Sequence, residues 1–123
     1  MAKIIRATKQ RSAIMAAFEK EGRPLSPKEV IALASKDVPN LGIATVYRNI
    51  KSMQEEGELE AVEIPGQSPR YCLPRERSTV LFICDESERV FFLPEDSVNI
   101  EYTRIPERFN PLQSLVILHG IVA

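Results

Sequence analysis

The hydrophobic pattern changes its period at Gly57, and this change constrains the fold more than any other feature of the sequence. Before Gly57, apolar residues recur every three to four positions, which is typical of helices that bury one face. After it, apolar residues fall into short runs and alternations, which are typical of strands. Helices followed by a hairpin are the order of a winged helix-turn-helix, so we predict an α+β fold that begins with such a domain.

Two of the three predicted helices lie in the first third of the chain. The first is expected over residues 8–20, where apolar residues form one stripe at helical spacing. The second begins at Ser26, whose side chain can cap the helix, with Pro27 in the first turn and Glu29 placed to complete a capping box. This helix is expected to end near Asp37, shortly before a proline.

The third helix is predicted from about Ile43 to Glu56, with a glycine directly after it as a left-handed terminator. Its apolar face is expected to contact the core and carries Ile43, Val46, Ile50 and Met53. Its other side is expected nearer the solvent and carries Thr45, Tyr47, Arg48, Asn49 and Lys51. A DNA recognition helix has this division between a buried face and a face of hydrogen-bonding side chains. On the pattern alone, Tyr47 and Arg48 are equally well explained as ordinary exposed helix residues.

The remainder of the chain divides at a short charged segment. Two strands are predicted over residues 59–64 and 69–73, joined by a turn rich in proline and glycine. Residues 75–77 form the expected hinge. The chain is therefore predicted to contain two domains, over residues 1–74 and 78–123.

The second domain is expected to be a small α/β module that dimerises. Strands are predicted over residues 79–84 and 89–93, with a candidate helix over residues 95–104. Residues 115–118 are apolar at consecutive positions, which predicts a strand covered on both faces. So few elements cannot bury such runs alone, and a second copy of the chain is the simplest partner.

Charge is distributed unevenly along the chain. The formal net charge is −1, which argues against a nonspecific nucleic-acid coat. Residues 1–18 nevertheless contain four basic residues and no acidic one: Lys3, Arg6, Lys9 and Arg11. Such a basic segment suits contact with phosphate groups, and a solubilising charged end explains it equally well.

The two cysteines and the absence of long apolar runs indicate an intracellular protein. Cys72 and Cys84 provide neither a disulfide framework nor a CxxC motif, so both are expected to be reduced, buried thiols. No apolar run approaches the roughly 18 residues that would cross a membrane, and no signal peptide is recognisable at the N-terminus. We expect a cytoplasmic protein without a membrane partner.

Residues 42–50, with the sequence GIATVYRNI, resemble the recognition-helix signature of the ferric uptake regulator (Fur) family. Three further segments resemble that family in the correct order. They are the basic residues 6–11, the helix start at residues 25–30, and the wing across residues 57–71. The resemblance covers residues 6–73.

The resemblance implies a homodimer that binds double-stranded DNA, with one recognition helix in each major groove. It implies base contacts by Tyr47, phosphate contacts by Arg48 and Arg11, and an approach of Arg6 to the minor groove. Arg70 would lie near the DNA backbone or pair with an acidic residue such as Glu60. The residues expected at the DNA are Arg6, Arg11, Thr45, Tyr47, Arg48, Lys51 and Arg70.

The sequence departs from the family where relatives usually bind zinc, iron or manganese. His119 is the only histidine, and Leu25 stands where the family commonly has another. Cys84 falls on the first position of a CxxC motif, but Ser87 occupies the second. Structural zinc needs four suitable ligands, so we predict no metal and no other cofactor. A makeshift site from Cys72, Cys84 and a carboxylate stays conceivable, although two buried thiols explain the cysteines better.

Three alternative functions were weighed against DNA-binding regulation, with repression as the expected effect. An enzyme is not expected, since the sequence has no nucleophile paired with a histidine and no phosphate-binding loop. A winged-helix module that binds proteins instead of DNA is the main alternative, and the acidic stretch over residues 55–58 allows it. A redox switch that uses the two cysteines is the third.

Overall fold

The protein forms two separate structural units. The computed structural model describes residues 2–123, with side chains from residue 4 onward. Contacts along the chain divide it after Arg77, and the second unit spans Ser78–Ala123. The side chain of Lys3, one of the predicted basic residues, lies outside the described part.

The first unit contains the three predicted helices. They are α1 (Ala2–Glu21), α2 (Pro27–Ala34) and α3 (Ile43–Glu55). The predicted capping box is confirmed: the Ser26 hydroxyl accepts a hydrogen bond from the Glu29 backbone, and the Glu29 side chain accepts one from the Ser26 backbone. The α1 helix begins six residues earlier than predicted, and α2 ends three residues earlier, because a turn follows Ala34.

Buried apolar side chains from all three helices form one hydrophobic core. Phe18, Leu25, Val30, Val46 and Ile50 are at most 1% exposed. They belong to a cluster that also takes in residues on either side of the wing. One face of α3 packs into this core, so the opposite face is exposed and can contact a binding partner.

The wing is a short hairpin of two antiparallel strands, β1 (Glu60–Val62) and β2 (Arg70–Cys72). A third segment joins it, because Leu25 and Tyr71 exchange backbone hydrogen bonds of 2.8 and 2.9 Å. The predicted winged helix-turn-helix is thus confirmed, and the bridge at Leu25 anchors the wing to the start of α2.

The second unit is a three-stranded sheet with the order β4-β3-β5. Its strands are β3 (Val80–Cys84), β4 (Val90–Leu93) and β5 (Val116–Gly120). The central strand β3 runs antiparallel to β4 and parallel to β5. Four of the five residues of β3 are buried, so the small core of this unit lies along its central strand.

One expectation for the second unit is wrong. The helix over residues 95–104 reduces to a single 3-10 turn, Glu95–Ser97, so the described part of this unit is a sheet and not an α/β module. Val98 is β-branched, and further β-branched residues follow it before Pro106. These residues disfavour the continuation of the turn into an α-helix. The strand β5 is partly exposed in the single chain, because no helix of its own unit packs on it, and its cover by a second copy stays a prediction.

The expected hinge belongs to the first unit. Pro74–Glu76 form a 3-10 turn, and the Arg77 side chain donates a 2.9 Å hydrogen bond to the Ala61 carbonyl on the wing. These contacts place the boundary after Arg77. Within residues 2–123, none of the helices combines the length and apolar character that crossing a bilayer requires.

Candidate DNA-binding surface

The helix α3 buries one face and exposes the opposite one. Val46, Ile50 and Met53 are buried, as predicted. The exposed face carries side chains at positions i, i+3, i+4 and i+7, which lie next to one another on a helix: Ala44, Tyr47, Arg48 and Lys51. This face combines a small residue, an aromatic ring and two cationic groups.

Ile43 is not buried in the core as predicted. Its side chain is 45% exposed, and it lies in the first turn of α3, at the flank of the buried face. The helical pattern predicted burial because Ile43 is three residues before Val46. Helical spacing assigns a residue to a face, but burial also depends on cover by other elements, so the pattern alone was insufficient.

Polar contacts within α3 orient the residues of its exposed face. The Arg48 guanidinium donates a 3.2 Å hydrogen bond to the Thr45 hydroxyl. The Asn49 side chain donates a 2.9 Å bond to the Thr45 carbonyl and therefore points along the helix. Arg48 is exposed and keeps further donors beyond this bond, because a guanidinium has five N–H groups.

An electrostatic interaction links Tyr71 of the wing to Tyr47 of α3. Burial raises the pKa of the Tyr71 phenol, and the nearby Tyr47 phenol and Glu63 carboxylate raise it further. Tyr71 is on β2 and packs against the core, whereas the Tyr47 ring on α3 is 52% exposed.

Arg11, predicted to contact phosphate, is held by the far end of α3 in the free protein. Its guanidinium lies 2.6 Å from the Glu56 carboxylate and 2.8 Å from that of Glu58. It also donates a 3.2 Å hydrogen bond to the Ser52 hydroxyl. Arg11 thus ties α1 to the C-terminal end of α3, and a phosphate would have to compete with two carboxylates for it.

We expect Arg11→Met to lower the free energy of unfolding of the first unit by about 0.5–1 kcal/mol, because Arg11 and its two charged partners are partly exposed and screened by solvent. Chemical denaturation followed by circular dichroism measures this loss. The matched control is Glu56→Gln/Glu58→Gln. Its loss should not add to that of Arg11→Met, since both changes remove the same contact. Full additivity would contradict the pairing.

Arg70, the wing arginine, is turned toward the helical domain and not toward Glu60. Its Nε atom lies 4.0 Å from the Glu29 carboxylate, and another of its nitrogens donates a 3.0 Å bond to the Ser68 carbonyl. Only 12% of its side chain is exposed. The carboxylate of Glu60 lies near Arg77 instead, at 3.4 Å.

Sequence reasoning missed a buried arginine at the base of this surface. Arg23 is buried between α1 and α2, where it forms ion pairs of 3.0 Å with Glu21 and 2.7 Å with Glu29. Glu29 therefore joins the capping box, Arg23 and the wing residue Arg70. The only available signal was one basic residue between a glycine and a proline, which does not reveal burial.

The remaining predicted contacts, Arg6 and Lys51, are both exposed. Arg6 lies in the first turns of α1, and Lys51 lies on the same face of α3 as Tyr47 and Arg48. The structure thus brings Thr45, Tyr47, Arg48 and Lys51 together on one helix, while Arg6 occupies another.

The candidate metal ligands of this chain include Cys72, Cys84 and His119. Burial raises the pKa of the Cys72 thiol to about 11. Hydrogen bonds from the Ser87 hydroxyl and from the Ser87 and Val122 backbone N–H groups lower the pKa of Cys84 to about 7. His119 lies 3.2 Å from the Asp85 carboxylate. Among the described residues, no group of three or more histidine, cysteine or acidic side chains could hold a metal ion.

The donor set does not fit a four-ligand zinc site. In the parallel pairing of β3 and β5, His119 is opposite Ile83, whereas Cys84 is the next residue along β3. Because successive side chains alternate across a sheet, His119 and Cys84 point to opposite faces.

Together, the fold and the exposed face of α3 define a DNA-binding protein of the winged helix-turn-helix class. The sequence profile of the Ferric uptake regulator family matches residues 2–115. The chain belongs to this family, and it is a DNA-binding transcription regulator.

Individual relatives agree with this assignment. A ferric uptake regulation protein from Staphylococcus epidermidis is 24% identical over 104 residues, which cover 82% of this chain and 75% of the relative. A zinc-bound manganese uptake regulator has a similar structure, with a TM-score of 0.70 and 19% identity over 93% of this chain and 88% of the other. The ferric uptake regulator of Vibrio cholerae gives a TM-score of 0.65 and 16% identity, with 92% and 88% covered. The structural likenesses show the fold, and all three relatives are regulators by name.

Proposed function

We propose that the protein is a sequence-specific transcription regulator that binds double-stranded DNA as a homodimer, with one α3 helix in each major groove. One observation carries the proposal: Ala44, Tyr47, Arg48 and Lys51 share the face of α3 opposite the core. An α-helix fits the major groove, where base edges present hydrogen-bonding groups and thymine methyl groups.

Each residue of the surface has a proposed role. Tyr47 and Thr45 contact base edges, Arg48 contacts a base edge or a phosphate group, and Lys51 contacts a phosphate group. Arg6 reaches the DNA backbone or the minor groove from α1. Arg11 and Arg70 act indirectly, because ion pairs with glutamates hold both of them within the domain.

The proposed homodimer would be formed by the second unit. Many large apolar side chains of this unit are exposed in the single chain. A partner surface would bury them and remove them from water. They are Ile100, Tyr102, Ile105, Phe109, Leu112, Leu115, Leu118, Ile121 and Val122. The strand β5 is at the edge of the sheet, and Leu118 lies on it. A second copy of the same unit offers a matching apolar surface in a symmetric dimer.

We expect Leu118→Lys to weaken dimerisation by roughly tenfold or more, because it places a charge in the proposed apolar interface. Sedimentation equilibrium measures the dimer dissociation constant. Gln113→Lys adds the same charge at an exposed polar position of this unit and serves as the matched control. Equal dissociation constants for the two variants would exclude β5 from the interface.

We further propose that DNA binding does not depend on a bound metal in the way usual for the family. The support is the donor chemistry: the single histidine and Cys84 point to opposite faces of their sheet. Binding to DNA should therefore be unchanged after dialysis against a chelator. Loss of binding that returns with one divalent metal would contradict this proposal.

Repression in the cytoplasm is the proposed outcome of binding, because a dimer that covers its operator hinders access by other proteins. Selection from a pool of random DNA duplexes tests the proposed function. We expect enrichment of a sequence with approximate two-fold symmetry, since the symmetry of a dimer is mirrored in its site. A pool that stays random through selection would contradict sequence-specific binding, and a protein that also retains no DNA would favour a protein-binding module.

A further inference from the structure

The exposed position of Ile43 has no explanation in the packing of the first unit. The buried face of α3 already contributes Val46, Ile50 and Met53 to the core, and all three are at most 1% exposed. Ile43 begins the helix and adds little to that core. An isoleucine that is 45% exposed in a small domain leaves apolar surface in contact with water.

Exposed large apolar side chains are rare in the first unit. Among its described residues they occur at two places, the start of α1 with Ile4 and Ile5, and the start of α3 with Ile43 and Tyr47. Ile43 and Tyr47 are four residues apart, so their side chains are neighbours on the helix surface. Ala44 lies exposed beside them. The first two turns of α3 therefore carry an apolar patch, which consists of Ile43, Ala44 and Tyr47.

The groups around this apolar patch are cationic or polar. Arg48 and Lys51 continue the same helix face, and both are exposed. No acidic residue lies in the first turn of α3. A protein partner would meet an apolar surface flanked by two cations, whereas DNA offers phosphate groups beside one apolar group in the major groove, the thymine C5-methyl. The pattern of charge and apolar surface matches DNA.

We infer that Ile43, together with Ala44 and Tyr47, recognises thymine methyl groups in the major groove, and that Ile43 is a specificity-determining residue. This inference rests on the proposed function, because it requires α3 to lie in the groove. The apolar patch is then covered by DNA and Arg48 is free to contact the neighbouring phosphate or base edge.

Replacement of thymine by deoxyuridine in the selected duplex tests the inference, since it removes one methyl group and leaves base pairing intact. We expect the wild-type protein to lose roughly fourfold in affinity at one or two thymines per half-site, the effect of one buried methyl group. The variant Ile43→Ala should bind the thymine and deoxyuridine duplexes equally at one of these positions. Fluorescence anisotropy measures both affinities.

Lys51→Ala is the matched control on the same helix face. It should weaken binding to both duplexes equally, since a phosphate contact does not sense a base methyl group. Circular dichroism of Ile43→Ala should match that of the wild type, because the side chain lies outside the core. A folded Ile43→Ala variant that prefers thymine to deoxyuridine at every position where the wild type does would overturn the inference.

The remaining outcomes separate this inference from the proposed function. Wild-type protein that binds the selected duplex but ignores every thymine methyl group would overturn the inference and leave sequence-specific binding intact. Failure to select any duplex would instead overturn the proposed function, and the inference with it.

Discussion

Specific DNA affinity should fall at least roughly 30-fold in the double variant Tyr47→Ala/Arg48→Ala, because each lost base contact costs about 1–3 kcal/mol. Both side chains are exposed on α3, and Arg48 is oriented by its hydrogen bond to Thr45. Their removal leaves the buried face of the helix intact, so the domain should stay folded. Titration of a labelled duplex, followed by fluorescence anisotropy, measures the loss.

Arg104→Ala is the matched control for the change in charge. Arg104 is exposed in the second unit, so its loss alters net charge as Arg48→Ala does without touching α3. We expect this control to change affinity only slightly and equally for all duplexes. An equal loss in both proteins would mean that overall charge, and not the α3 surface, determines binding.

The variant Phe18→Ala should lose about 3–5 kcal/mol of unfolding free energy, a large part of the 5–15 kcal/mol typical of a natural domain. Phe18 on α1 is 1% exposed and belongs to the core that holds α3 in place. The three described α-helices all lie in the first unit, so far-ultraviolet circular dichroism in urea reports on this unit.

Ile14→Val provides the control within the same core. It removes a single methyl group from a fully buried side chain and should cost only about 0.5–1.5 kcal/mol. Similar losses in the two variants would mean that Phe18 does not have the central place in the core assigned to it here.

The sequence predicted those features that depend on local spacing. The buried face of α3 at Val46, Ile50 and Met53 follows the helical period, and the capping box at Ser26 follows from a four-residue motif. Local rules of this kind sufficed for the helices and the wing. The recognition face follows from them too, because residues opposite a buried stripe must be exposed.

Features that depend on distant partners were beyond the reach of such rules. Arg11 pairs with Glu56 and Glu58, which lie 45 and 47 positions away in the chain. From the sequence alone, a basic residue in a segment without acidic residues was as consistent with a phosphate contact as with these ion pairs. The partners of Arg23, Glu21 and Glu29, are close to it in the chain, but no spacing rule marks an arginine in a loop as buried.

The exposure of β5 in the single chain has a related cause. Consecutive apolar residues at 115–118 predict burial on two faces, but the chain supplies no helix that covers β5. A strand with apolar residues on both faces indicates burial by a partner when its own chain has no element to cover it. Ile43 is the same case in the first unit, with DNA as the inferred cover.

The ratio of affinities for the selected duplex and for a shuffled duplex of equal composition tests the central claim most directly. Anisotropy titrations of the wild-type protein at physiological salt would provide both dissociation constants, since affinities depend strongly on salt. Recognition by α3 predicts a ratio of roughly 1,000 or more. A ratio near one would contradict sequence-specific recognition and leave only electrostatic attraction to the DNA backbone.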